Sequence, residues 1–294
     1  MSGIIVENRV KEVTEHSVKQ LRRAGFCGFA TRFWDHPDTL TREDCQRVAQ
    51  IFRDCGVEIT QATGYWQPLI HCDENIRKEA VRVLKQAIKI ASCLGATAIL
   101  TGPGTMNPRT CCLPAEEKRW GAWWPDKGNH GPLAIERLLK SLREALLVAE
   151  DLNVIISLEC HVISTLCSPE VARQIVQELD SPFCKINIDP VNFIGTVDEY
   201  YNNTERLHHI FNVLDPFIIS GDIKDIYLED PVVVHLRERS IGEGCLDIAT
   251  FLKRFENICP EGYLHIEHVP LEQAINGQAI IRQKAQELQI RILE

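Results

Sequence analysis

The sequence predicts an α/β fold, a (β/α)8 TIM barrel that occupies residues 1–294 as one domain. Two observations predict it. Short β-branched or aromatic runs alternate with amphipathic helical stretches about eight times, with no linker-like segment between them. Strands joined by helical crossovers must run parallel, and eight such units close naturally into a barrel of about 250 residues. An open doubly wound sheet is the alternative built from the same units.

Taken in order, a weak first strand near Gly3 to Val6 precedes a helix from about Thr14 to Ala24. The second strand is CGFATRF at Cys27 to Phe33, and the helix after it opens at Thr41, whose hydroxyl and acidic successors suit an N-terminus. VEITQAT at Val57 to Thr63 is the third strand, and its helix runs from about Asn75 to Leu94 with Gly95 as C-terminal cap. After the fourth strand, ATAILTG, comes a long connection from Pro103 to about Gly131 with Trp120, Trp123 and Trp124. A loop of that length is commonly functional, and three tryptophans argue against disorder. A substrate-covering lid, a self-packed loop and an oligomer contact all fit it.

The second half holds four clearer strands: VIISLECH, CKINIDPVNF, FIISGDIKD and GYLHIEHV. Side chains alternate faces along a strand, so counting in twos splits each run. Ser157, Glu159 and His161 fall on one face of the fifth strand, Asn187 and Asp189 on one face of the sixth. Ser220, Asp222 and Lys224 share a face of the seventh, His265 and Glu267 of the eighth. The opposite faces carry Ile156, Leu158, Ile186, Ile188, Ile219, Ile223, Leu264 and Ile266. Because helices cover the outside of such a barrel, the apolar set points outward and the acids point into the C-terminal mouth, where these barrels keep their active sites.

Glu159, Asp189, Asp222 and Glu267 therefore converge, at successive spacings of 30, 33 and 45 residues, one βα unit per step with an insertion in the last. Singly, each acid suits a helix cap or a salt bridge; four on adjacent strands with one parity point to a shared task. Burying several carboxylates together is costly unless protons or a cation neutralise them, so a divalent metal is expected. Oxygen donors favour Mn²⁺ or Mg²⁺, with Zn²⁺ or Co²⁺ fitting if His161 or His265 joins.

Bulk properties exclude several classes. Net charge is −9, with 25% charged and 45% hydrophobic residues, so this is an ordinary globular composition that repels nucleic-acid backbones and anionic membranes. No apolar run approaches the roughly 20 residues of a membrane span. The twelve cysteines are dispersed without zinc-finger spacing, and MSGIIVENRV lacks a leader pattern, so reduced thiols in the cytoplasm are expected. Cys55 and Cys93 sit in helical apolar patterns as small buried hydrophobes, and Cys111-Cys112 lies in the long connection with no role assigned. Gly242-Glu-Gly244 is too short to signal phosphate binding.

At these residues the chain resembles the xylose isomerase-like barrel superfamily, in its sugar-phosphate isomerase/epimerase branch. The carriers are Leu158 to His161, Asn187 to Asn192 (NIDPVN), Asp222 to Asp225 (DIKD), Gly242 to Asp247 (GEGCLD) and His265 to His268 (HIEH). The resemblance implies Glu159, Asp189 and Glu267 as metal ligands. The family usually reads His-x-Lys-Asp on the seventh strand, where this chain has Asp222, and many epimerases carry a substrate-binding histidine where Asn192 stands.

It further implies a metal-dependent isomerase or epimerase of a ketose or related polyol. Glu159 and Glu267 would exchange protons with the carbon beside the carbonyl through an enediolate, and His161, Asn192, Lys224 and Arg239 would contact the substrate. A lyase or dehydratase on a keto-sugar and a non-catalytic carbohydrate-binding barrel are the rival readings. A nuclease is disfavoured, since related nucleases use a histidine-rich multi-metal site and a basic face. The family also implies a dimer or tetramer.

Overall fold

A computed structural model describes residues 2–3, 10–32, 36–63, 67–106, 124–230 and 232–292. Its main sheet has eight strands, all parallel, in chain order: β1 (Ser2–Gly3), β2 (Gly28–Arg32), β3 (Glu58–Thr63), β4 (Ala98–Thr101), β5 (Ile155–Glu159), β6 (Cys184–Ile188), β7 (Ile218–Ile223) and, after an insertion, β10 (Tyr263–Ile266). β1 also lies against β10, which brings the two ends of the sheet together as a barrel. The expected open sheet alternative is thereby set aside.

Helices fill the crossovers: α1 (Glu15–Arg23), α2 (Arg42–Asp54), α3 (Glu74–Leu94), α4 (Pro132–Leu152), α5 (Pro169–Leu179), α6 (Val197–Tyr201), α7 (Asn203–Leu214), α8 (Ile248–Ile258) and α9 (Leu271–Glu287). Their starts follow local chemistry. Thr14 and Thr41 cap α1 and α2 as reciprocal boxes with Ser17 and Asp44, satisfying backbone N–H groups that have no partner within the helix. Pro132 and Pro169 open α4 and α5, where a missing N–H costs nothing. Gly95 ends α3 at φ +77°, as the sequence predicts.

The hydrophobic core is the ring between sheet and helices. Ile156, Leu158, Ile186, Ile188, Ile223, Leu264 and Ile266 are all buried in it, and Phe29 of β2 meets Phe52 of α2 with ring centroids 5.1 Å apart. The barrel's inner face is polar instead: Gln61, Ser157, Asn187, Ser220 and His265 are buried there, and Ser220 Oγ donates to Asn187 Oδ1 at 2.7 Å. The strand parity read from the sequence is the parity of the fold.

One element departs from the sequence reading. The insertion between β7 and β10 is an antiparallel hairpin, β8 (Asp225–Leu228) with β9 (Leu236–Arg239), paired Asp225↔Arg239 through Leu228↔Leu236. Its base is held by Asp225, whose Oδ2 accepts from the Gly242 amide (3.0 Å) and Oδ1 from the Leu246 amide (2.9 Å). The Gly-x-Gly segment thus serves as the return of this hairpin. Residues 4–6 of the expected first strand, Phe33, Trp120, Trp123, Cys111 and Cys112 lie outside the described residues; the described cysteines are free thiols. Among the described residues no helix is long and apolar enough to cross a membrane.

Two left-handed glycines separate backbone strain from crowding. Gly95 (φ +77°) has open space where a Cβ would stand, whereas at Gly104 (φ +75°) a Cβ would strike the Gln67 carbonyl oxygen and Pro68 Cα. Gly95→Ala is expected to cost about 1–2 kcal/mol, the left-handed penalty alone. Gly104→Ala adds overpacking against backbone and is expected to cost at least about 1 kcal/mol more. Urea unfolding midpoints of the two variants check the order, and equal midpoints would refute it.

Candidate metal centre

Four strand ends deliver the four acids. Glu159 closes β5, Asp189 follows β6, Asp222 lies in β7 and Glu267 follows β10. All are buried, between 0 and 6% exposed, and one carboxylate oxygen from each lies within 4.8 Å of the others. The convergence follows from register: β5 sets Glu159 beside Asn187 of β6, and β10 sets His265 beside Asp222 of β7.

Each carboxylate is oriented by neighbours. Asn192, in a turn after β6, donates Nδ2–H to Glu159 Oε1 at 3.0 Å. The Val191 amide donates to Asp189 Oδ1 at 3.1 Å. Asp222 Oδ2 accepts from Asn187 Nδ2 at 2.6 Å, while its Oδ1 lies 3.0 Å from His265 Nδ1. His265 Nε2 in turn lies 3.1 Å from Thr60 Oγ1. Burial pulls the His265 pKa down to about 4, so the ring is neutral. A neutral imidazole donates through one nitrogen and accepts through the other, so Asp222 and Thr60 take opposite roles in this chain.

Lys224 enters the same nest. Its Nζ lies 2.7 Å from Asp189 Oδ2, 2.7 Å from Glu267 Oε1 and 3.5 Å from Glu238 Oε2. Burial alone would discharge the ammonium, but the carboxylates of Asp189 and Glu267 hold its pKa well above the usual lysine range. One cation does not balance the site. Burial, followed by the charges of Glu267 and Asp222, raises Glu159 well above the ordinary carboxylate range, and burial with Glu267 does the same to Asp222. Asp189 is raised to about 6, burial outweighing the help of Lys224.

The remaining sequence-predicted residues divide. His161 borders the site: burial and then the nearby Lys224 charge lower its pKa to about 4, and its Nδ1 accepts from the Ile163 amide at 3.2 Å. Asn192 touches Glu159 as described. Arg239 is not brought into the carboxylate nest; it is exposed on β9, its guanidinium 5.0 Å from the Tyr227 ring centroid. The residue beside it, Glu238, reaches the site instead. Glu238 accepts from His268 Nδ1 at 3.0 Å, and His268 Nε2 lies 3.5 Å from Glu267 Oε2. The Glu267 charge raises His268 to about 8 against the pull of burial. His268 holds φ +59°, a left-handed conformation uncommon outside glycine.

The donors fit a hard divalent cation. Burial, with the charges of the neighbouring acids, pushes three of the four acids towards protonation, a cost that a bound cation would offset, and oxygen-only ligands suit Mg²⁺ or Mn²⁺.

A parallel barrel with buried acids gathered at the C-terminal ends of its strands defines the class: a (β/α)8 barrel with its polar site at the mouth. The chain belongs to the xylose isomerase-like TIM barrel family, whose profile matches residues 18–287. No curated protein matches it. Among solved structures, a D-tagatose 3-epimerase-like protein superposes with a TM-score of 0.73 at 18% identity, over 98% of each chain. A xylose isomerase-like TIM barrel protein from Mycobacterium smegmatis in complex with magnesium gives 0.72 at 16%, over 98% of this chain and 96% of that one. A xylose isomerase domain protein from Planctomyces limnophilus gives 0.70 at 18%, with the same coverage of 98% and 96%.

The chain from Asp222 through His265 to Thr60 is expected to support the fold as well as the site. His265→Leu takes the ring partner from Asp222 Oδ1, while Thr60 keeps its bond to the Phe29 carbonyl, so a cost of about 1–3 kcal/mol for the one group left unpaired is expected. Denaturant unfolding checks it, and a loss under about 1 kcal/mol would remove His265 from the stability account.

Proposed function

We propose that this chain is a divalent-metal-dependent isomerase or epimerase of a ketose or related polyol, with residues 1–294 acting as one catalytic domain. The observation that carries the proposal is the nest of four inward carboxylates on adjacent strands, oxygens within 4.8 Å of one another. Glu159, Asp189, Asp222 and Glu267 would hold Mn²⁺ or Mg²⁺. The isomerase and epimerase names of the structural neighbours, and the magnesium in one of them, support the reading.

Bound there, the cation supplies polarisation of a carbonyl and its neighbouring hydroxyl. The chain's own side chains do the rest. One of Glu159 and Glu267 takes the proton from the carbon beside the carbonyl as the C–H bond breaks, and the other gives a proton back. Return to the opposite face of that carbon inverts it; return to the adjoining carbon shifts the carbonyl. Burial and the charges of Glu267 and Asp222 raise the Glu159 pKa above the ordinary carboxylate range, which favours the proton-carrying form that an exchange of this kind passes through. Asn192 fixes Glu159 through its amide, and Lys224 and His161 would offer donors to substrate oxygens. Arg239 would join only by movement of the hairpin that bears it.

Glu159→Gln keeps the size of the side chain and the Asn192 contact while removing the proton carrier. Deuterium uptake beside the carbonyl of ketoses in D2O with added Mn²⁺ is expected to fall about 10²–10⁴-fold, with circular dichroism unchanged. Undiminished exchange would take Glu159 out of the mechanism.

Metal affinity is expected to fall with pH, because a ligand whose pKa is raised is protonated sooner and the proton competes with the cation. Asp189, at about 6, alone predicts roughly fourfold weaker Mn²⁺ binding at about pH 5.5 than at about pH 7.5, with Glu159 and Asp222 adding to it. Calorimetric titrations at the two pH values test the sign, and equal affinities would show that these acids do not ligate.

A further inference from the structure

We infer that Lys224 is a tethered competitor of the metal, seated between Asp189 and Glu267 when the cation is absent and moved onto Glu238 when it is bound. The inference rests on the metal reading of the four acids and adds a control on it.

The geometry leaves the ammonium little choice. Nζ lies 2.7 Å from Asp189 Oδ2 and 2.7 Å from Glu267 Oε1, contacts of full ion-pair length to two of the four acids. A cation at about 2.1 Å from either of those oxygens lies within about 5 Å of Nζ. Two positive centres at that spacing repel, and both would draw on the same carboxylates. Lys224 is 5% exposed, so water screens the repulsion poorly.

A second seat stands beside the first. Glu238 Oε2 is 3.5 Å from Nζ, and this carboxylate belongs to the β8–β9 hairpin rather than to the four-acid nest. Its side chain is 48% exposed and is steadied by His268. A shift of the ammonium towards Glu238 frees Asp189 and Glu267 for the cation while keeping the lysine charge paired. The hairpin thereby sets how readily the site loads.

The test is a double-mutant cycle on metal affinity, read by calorimetric titration of MnCl2 into chelator-stripped protein at constant pH. Lys224→Met is expected to tighten Mn²⁺ binding at least about tenfold, and Glu238→Gln to weaken it at least about threefold. The double variant is expected to match Lys224→Met, because a missing ammonium needs no second seat. Lys224→Gln, which keeps a donor without the charge, stands in if the methionine variant does not fold. Unchanged or weaker binding in the Lys224 variants overturns the inference while leaving the metal reading intact. So does an equal effect of Glu238→Gln with and without Lys224, since Glu238 would then act only through its general field. Absence of binding in all four proteins overturns the metal reading and this inference with it.

Discussion

Everything at the mouth of this barrel answers to one constraint: four carboxylates are buried within a few ångströms of one another, with Lys224 and, beside Glu267, His268 as counter-charge. Like charges at that spacing inside a protein cannot all stay ionised without compensation. The structure answers with every means available to side chains. Asn187 and Asn192 donate amide hydrogens, the Val191 backbone donates another, Lys224 bridges two acids, and burial still holds the pKa values of Glu159, Asp189 and Asp222 above the ordinary carboxylate range. Removing Lys224 from a purely structural cluster would worsen the charge imbalance, whereas a site built for a divalent ion gains from it. The sign of that effect distinguishes a packed polar core from a metal centre.

The departure of the seventh strand from the family's usual motif takes on a physical meaning here. Asp222 stands where a histidine is usual, yet an imidazole is still next to it: His265 occupies the register position across from Asp222 on β10. The ring is turned to orient the acid, with Nδ1 on Asp222 and Nε2 on Thr60. An acid thus stands at a proposed ligand position while its neighbour acts as a neutral support. Orienting partners of this kind set the basicity and direction of a ligand. As proposed ligands the four acids offer oxygen alone, and oxygen-only sets favour hard cations.

Much of this was legible in the sequence because strand parity is a strict geometric rule. Ile156/Leu158 against Ser157/Glu159 admits one burial pattern once helices cover the sheet, and the same holds for Ile186/Ile188 against Asn187 and Asp189. Helix ends at Thr14, Thr41 and Gly95 were equally readable, since capping depends on a few adjacent residues. The hairpin was not. Its signal, β-prone runs on either side of Glu229-Asp230-Pro231, lies inside an insertion already accounted for by spacing alone. Missing it misplaced Arg239 and hid Glu238, because only the antiparallel pairing decides which neighbour faces the site.

His268 shows what a linear pattern withholds. It follows Glu267 directly, so alternation would turn it to the opposite face from the acids, onto the apolar side of β10. The chain instead leaves the strand at Ile266 and turns into a left-handed conformation at His268, which brings Nε2 to 3.5 Å from Glu267 and Nδ1 to Glu238. A non-glycine residue in that conformation costs about 1–3 kcal/mol and persists only where its contacts hold it. Here those contacts join the last barrel acid to the hairpin, so the same strained residue that steadies Glu267 also fixes the carboxylate facing Lys224. The eighth strand end and the insertion are therefore one unit, and the charge balance of the mouth depends on both.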